Sequence, residues 1–152
     1  MPQKTAELRK PEHPRYVLDS FAWLAWFADE PGAAIVQTLL EKARRNEVDI
    51  HVSWMNVSEV YCITARRSLD SDRHMAAKKA VEVIENLPVH IHAISKNEAL
   101  AAARFKADHA LSLADAFAAS LAKTHAAQIV TGDPEFQPLE KKQAIRILWI
   151  AR

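Results

Sequence analysis

Glycine and cysteine are almost absent from this 152-residue chain, which holds only Gly32, Gly132 and Cys62. Two isolated glycines cannot build a GxGxxG dinucleotide loop or a Walker phosphate loop, so the usual nucleotide cofactors are not expected. One cysteine forbids an internal disulfide and every cysteine-rich zinc pattern, which suits a cytosolic compartment. An excess of either charge is also missing, because 20 Lys and Arg stand against 19 Asp and Glu for a net charge of +1. A protein that coats nucleic acid is strongly basic, so any nucleic-acid contact here must be local. No stretch approaches the roughly eighteen apolar residues of a membrane span. The opening MPQKTAELRKPEHPR has no apolar segment of the kind a secretory leader carries. A soluble, cytoplasmic protein is the expectation.

Histidine is plentiful, with seven residues, yet no pair stands at the HExxH spacing of a zinc hydrolase. His90 and His92 alternate with Val89, Ile91 and Ala93 and read as the polar face of a strand. His13, His51, His74, His109 and His125 stand singly and read as surface or internally satisfied side chains. No chemistry is assigned to them.

The hydrophobic content of 49% is ample for one core in a chain of this length. Residues 1–15, with Pro2, Pro11 and Pro14 among charges and no apolar period, are expected to form a flexible arm. Residues 16–152 are expected to form a single domain. Within it, short β-rich runs alternate with helical patterns. Tyr16 to Leu18 reads as a strand, and the helix through Phe21, Trp23, Leu24 and Phe27 is stopped by Pro31 and Gly32. A helix through Ile35, Leu39 and Leu40 follows, then a strand over Val48 to Ser53 and a helix through Val57, Val60, Tyr61 and Thr64. Arg73 to Leu87 reads as a helix closed by Pro88, Val89 to Ile94 as a strand, and Asn97 to Asp108 and Leu113 to His125 as alanine-rich helices. The strand Gln128 to Thr131, a short helix near Glu135 and the strand Ile145 to Ile150 complete the chain. Five strands alternating with helices of this length call for a three-layer α/β/α sandwich around a mostly parallel five-stranded sheet.

Four acids carry the chemical interest. Asp19 follows the strand YVL and has the position of a helix N-cap, but open α/β sheets also bind ligands outside the carboxyl ends of their strands. Asp133, in Thr131-Gly132-Asp133-Pro134-Glu135, reads equally as a turn into a helix with Pro at its first position and as a second strand-end acid. The two would share one crevice if their strands were neighbours at a topological switch point. Asp115 forms a capping-box-like pair with Ser112. Its neighbours Leu113, Ala114, Ala116, Phe117 and Ala118 are nevertheless small and apolar, and a carboxylate there is costly without compensation. Glu59 lies on a mixed helical face near Met55, Cys62 and Arg66, where a solvated residue is the plain alternative. Separated acids gathered at one place suit hard divalent cations, since magnesium and manganese take oxygen ligands.

The segments YVLDSFAWLAWF around Asp19, NVSEVYC around Glu59, LSLADAFAASLA around Asp115 and IVTGDPEF around Asp133 resemble the PIN-domain nucleases, and within them the VapC-type toxins of type II toxin–antitoxin systems. Their order spans nearly the whole of Tyr16 to Ile150. The resemblance implies a PIN-like α/β/α fold and a Mg2+- or Mn2+-dependent endoribonuclease, with Asp19, Glu59, Asp115 and Asp133 as catalytic and metal-binding residues. It implies that Thr131 supports the acids through its hydroxyl. It also implies a homodimer, an RNA substrate and a cognate antitoxin protein.

The expected function is therefore metal-assisted hydrolysis of an RNA phosphodiester, the clustered carboxylates repelling one another in the absence of metal and titrating with some pKa values raised. One alternative is a catalytically silent PIN-like module that binds RNA or protein. A second is a phosphoacceptor receiver domain, which expects an acidic pair after the first strand and a Lys after the last. Here Ser20 follows Asp19, and the chain ends at Arg152. Arg66, Arg67, Arg104 and Lys106 are candidates for contact with RNA phosphate, with a solvated helix face the preferred reading of each.

Overall fold

The computed structural model describes residues 13–151. A five-stranded parallel sheet forms its middle layer, built from β1 (Arg15–Leu18), β2 (Asp49–Ser53), β3 (His90–His92), β4 (Gln128–Thr131) and β5 (Arg146–Trp149) in the order β3-β2-β1-β4-β5. The helices are α1 (Ser20–Phe27), α2 (Ala33–Arg44), α3 (Trp54–Arg67), α4 (Arg73–Glu85), α5 (Lys96–Asp108), α6 (Leu113–Thr124) and α7 (Gln137–Lys141), the last preceded by a 3-10 turn over Pro134–Phe136. The expected three-layer architecture is thus the observed one.

Alternation along the strands divides the core between the two faces of the sheet, because successive side chains of a strand point oppositely. Leu18, Ile50, Val52 and Val130 pack with Trp23, Val36, Leu39, Val60 and Ile84 from α1 to α4. Val17 and Ile129 pack with Ala102, Phe117, Leu121, Phe136 and Leu139 from α5, α6 and the C-terminal helical turns. Five helices begin at side-chain caps that accept their first free N–H groups: Asp19 for α1, Ser53 for α3, Asp72 for α4, Ser95 for α5 and Ser112 for α6. At Gly32 the backbone adopts φ 99°, and a Cβ there would stand 2.7 Å from the Ile150 carbonyl oxygen, so the turn into α2 requires glycine.

Several boundaries differ from expectation. The arm expected over residues 1–15 falls mostly outside the described residues, and Arg15 belongs to β1, where Asp49 N–H donates to the Pro14 carbonyl at 3.0 Å. α1 ends at Phe27, before Pro31 is reached, and β3 is only three residues long. The strand order places β1 between β2 and β4, whereas a receiver module is ordered 2-1-3-4-5. That alternative is removed.

The histidines are not scattered singly. His51 is buried, its side chain on the α6 face of the sheet, with its Nδ1 2.8 Å from Nε2 of His92 and its ring stacked on those of His90 and His125 at centroid distances of 5.0 and 4.3 Å. Sequence separation hid this, because the four residues come from β2, β3 and the end of α6.

Candidate active site at the carboxyl ends of β1 and β4

Parallel pairing of β1 with β4, in the register Leu18 to Val130, sets their carboxyl ends side by side at the point where the strand order reverses. Asp19 leaves β1 there, and Asp133 stands two residues beyond the end of β4. Asp115 enters from the first turn of α6, and Glu59 from the second turn of α3. All four line one open crevice of about 330 Å³, together with Ser20, Arg67, Ser112 and Glu135. A larger cleft, about 420 Å³, borders Gly132, Pro134, Glu140, Lys141 and Trp149 and contains none of the four.

The capping role and the crevice position belong to the same side chains. Asp19 Oδ1 accepts from Ala22 N–H at 2.9 Å, the cap of α1, while Oδ2 accepts from the Thr131 hydroxyl at 2.5 Å. Thr131 Oγ1 in turn accepts from Asp133 N–H at 3.0 Å, so one buried hydroxyl ties the ends of β1 and β4 together. Asp133 Oδ1 accepts from Glu135 N–H at 2.9 Å and caps the 3-10 turn. Ser112 Oγ accepts from Asp115 N–H at 3.1 Å. Behind them Asn56, wholly buried, donates to Ser20 Oγ and to the Ala114 carbonyl, each at 3.2 Å, locking α3 to α1 and α6. Asn56 was not singled out from the sequence. Its placement directly before the apolar Val57 on α3 was the only available signal.

Among the described residues no Lys or Arg forms an ion pair with any acid of the crevice; the ion pairs are Arg15 with Asp49 and Arg45 with Glu47. Burial consequently dominates the electrostatics. It pushes the Asp19 carboxyl up to about 8, against hydrogen bonds from Thr131 and Ala22 that lower it, with Asp115 and Asp133 adding repulsion. It pushes Asp115 up to about 7, opposed by Ser112 and reinforced by Asp133, Glu59 and Glu135. Mutual repulsion, the cause expected from the sequence, is the smaller contribution. Desolvation acts first because Asp19 and Asp115 are only 1% and 7% exposed.

Glu135 was missed. Asp115, Asp133 and Glu135 carry carboxylate oxygens that all lie within 4.8 Å of one another. The signal lay in TGDPEF itself: a 3-10 turn has about three residues per turn, and residues two apart at its start are both held near the strand end. Arg67, read as solvated, stands in the crevice wall.

The donor set fits a hard divalent cation. The oxygens are carboxylates, several are buried without a basic partner, and Asp115, Asp133 and Glu135 already converge. A transition metal preferring nitrogen or sulfur would find neither here.

Thr131 gives a direct test of the link between the strands. Thr131→Val keeps the shape and removes the hydroxyl, leaving Asp133 N–H and Asp19 Oδ2 each short of a partner. Urea unfolding is expected to show a loss of about 1–3 kcal/mol, with Thr131→Ser close to the parent.

The fold and this crevice define an α/β domain with an acid cluster at its topological switch point. The chain belongs to the PIN domain family, whose model matches residues 16–142. Similar solved structures include VapBC2 from Rickettsia felis bound to a promoter DNA fragment, at 14% identity and a TM-score of 0.64, covering 88% of this chain and 97% of that one. VapC20 of Mycobacterium tuberculosis, described as a toxin that cleaves the sarcin-ricin loop, matches at 15% identity and a TM-score of 0.63 over 81% of this chain and 93% of its own. DNA-bound VapBC from Salmonella typhimurium matches at 16% identity and a TM-score of 0.61 over 91% and 99%. No curated protein matches the chain in sequence.

Proposed function

We infer that the protein is a Mg2+- or Mn2+-dependent endoribonuclease and the toxin of a cytoplasmic toxin–antitoxin pair. The observation that carries this reading is the convergence of Asp19, Glu59, Asp115 and Asp133 on one crevice of a PIN domain, with no basic side chain among the described residues paired to them. Asp19, Asp115 and Asp133 would hold the cation, with Glu59 as a further ligand or an anchor through water and Glu135 beside them. When bound, the cation supplies Lewis acidity to water and to phosphate oxygen.

The chain's own residues do the positioning. Thr131 orients Asp19 and fixes the turn that carries Asp133, and Ser112 fixes the first turn of α6 beneath Asp115. Cation binding requires ionised carboxylates, so it displaces the protons that burial favours on Asp19 and Asp115. Arg67 lines the crevice, where its guanidinium would meet a phosphate of the substrate. Water then forms a new P–O bond as the bond to the departing ribose oxygen breaks.

The similarity to VapBC complexes supports an antitoxin partner, and the resemblance to the VapC-type toxins a homodimer. An apolar groove of about 270 Å³, lined by Leu24, Phe27, Thr64, Arg67 and Ala76, adjoins the crevice through Leu24 and Arg67 and offers such a partner a seat. No helix among the described residues is long and apolar enough to cross a membrane.

Incubation of the purified protein with a mixed RNA pool, with Mg2+ or Mn2+ and with a chelator, tests the reading. Cleavage inside the RNA chains is expected only with the cation. Binding of RNA without cleavage under every metal condition would assign the crevice to a silent binding module instead.

A further inference from the structure

A second constellation lies on the α6 face of the sheet, built from His51 on β2, His92 on β3 and His125 at the carboxyl end of α6. One ring nitrogen from each lies within 4.8 Å of the other two. We propose that these three imidazoles bind a single borderline transition-metal ion, Zn2+ in the first instance, at a site separate from the carboxylate crevice.

Three observations carry this beyond a chance meeting of rings. His51 is buried to 7% exposure with its Nε2 unpartnered, so the burial of this ring is not offset by a full set of hydrogen bonds. His51 Nδ1 and His92 Nε2 stand 2.8 Å apart in a hydrogen bond whose proton belongs to one ring or the other according to tautomer; with that proton moved to the other nitrogen of its ring, opening the contact to about 3.3 Å would place both nitrogens in a tetrahedral shell with Zn–N near 2.0–2.1 Å. The charge of Glu98, on α5, acts on both His92 and His125 and would partly balance that of the ion.

Chemistry separates the two sites. Imidazole suits zinc, nickel and copper, whereas carboxylates select magnesium and manganese. The Arg15 guanidinium opposes a cation at His51 and His125, but it donates to the His125 carbonyl at 3.2 Å and pairs with Asp49 at 4.0 Å. The His125 ring stacks on His51 with an interplanar angle of 18° and must turn out of that stack to direct a nitrogen at the ion. Its half-exposed position at the end of a helix permits the rotation. The consequence is structural: the ion would fasten the three-residue edge strand β3 to β2 and to the end of α6.

Untagged protein stripped with chelator and titrated with ZnCl2, by calorimetry and by melting temperature, tests the proposal. At least one Zn2+ per chain is expected, with a rise in melting temperature. His92→Ala and His125→Ala, both at partly exposed positions, should each weaken Zn2+ at least about tenfold. His74→Ala should bind Zn2+ as the parent does. Zinc binding unchanged in the His92→Ala/His125→Ala double variant would overturn it. So would no Zn2+ uptake by a parent protein whose circular dichroism is intact. Neither result depends on cleavage of RNA, so the nuclease reading stands or falls separately.

Discussion

Asp115→Asn is expected to lower metal-dependent cleavage of RNA by more than roughly 100-fold, since removing even an outer partner of a metal ligand commonly costs 10–100-fold. The same substitution should raise the melting temperature of the metal-free protein above about pH 8, where the parent carries a buried charge at this position. The two effects have one cause. Asp115 sits in the first turn of α6 at 7% exposure, among Ala114, Ala116 and Phe117, and Asp133, Glu59 and Glu135 crowd its charge. That arrangement is unfavourable for the fold alone and favourable once a cation arrives. A variant that loses activity and gains metal-free stability is the signature of a group held for chemistry. Loss of stability together with activity would assign Asp115 a mainly structural role. Cleavage assays and thermal melts on the same preparation decide between them.

The second large effect concerns pH and metal together. In the metal-free protein the Asp19 carboxyl stands at about 8 and Asp115 at about 7, against 3.8 for an ordinary Asp. The folded chain therefore holds protons that the unfolded chain releases above 3.8. The stability this supplies is complete below that value and is lost as pH rises through 7 and 8. His51 acts in the opposite direction, being lowered from 6.5 to about 3 by burial and its neighbouring rings, so the folded chain resists protonation as pH falls below 6.5. Between about 7.5 and 8.5 the lowered imidazoles of His51, His92 and His125 are neutral in both states, and the carboxyls set the slope. In that window the melting temperature of chelated protein should fall with rising pH. Saturating Mg2+ or Mn2+ should reverse the trend, because deprotonated carboxylates bind the cation better, and should stabilise the fold by about 4 kcal/mol at a thousandfold excess over Kd. Melting curves across this window, with cation and with chelator, give both slopes at once. Absence of any metal-dependent stabilisation would count against a shared cation site.

The class of fold, and the acids proposed for the site apart from Glu135, were legible in local patterns along the chain. Alternation of β-rich runs with helical periods depends on local side-chain geometry, and it was legible element by element, from Tyr16 through to Trp149. Apolar neighbours marked Asp115 as unusual, and strand-end positions marked Asp19 and Asp133. Glu59 was the least visible of the four, because a Glu on a mixed helical face looks the same whether it meets water or a crevice. Only the tertiary structure decided that β1 and β4 are neighbours, a pairing between residues more than a hundred positions apart that no local pattern encodes. That adjacency brings Thr131 to Asp19, gathers the four acids with Glu135, and removes water from Asp19 so that burial governs its proton. It was likewise the sheet register, setting His51 beside His90 in the next strand, that began to turn separate histidines into a cluster. Chain-local chemistry names the residues, and long-range pairing of strands sets which of them meet and how strongly each holds its charge.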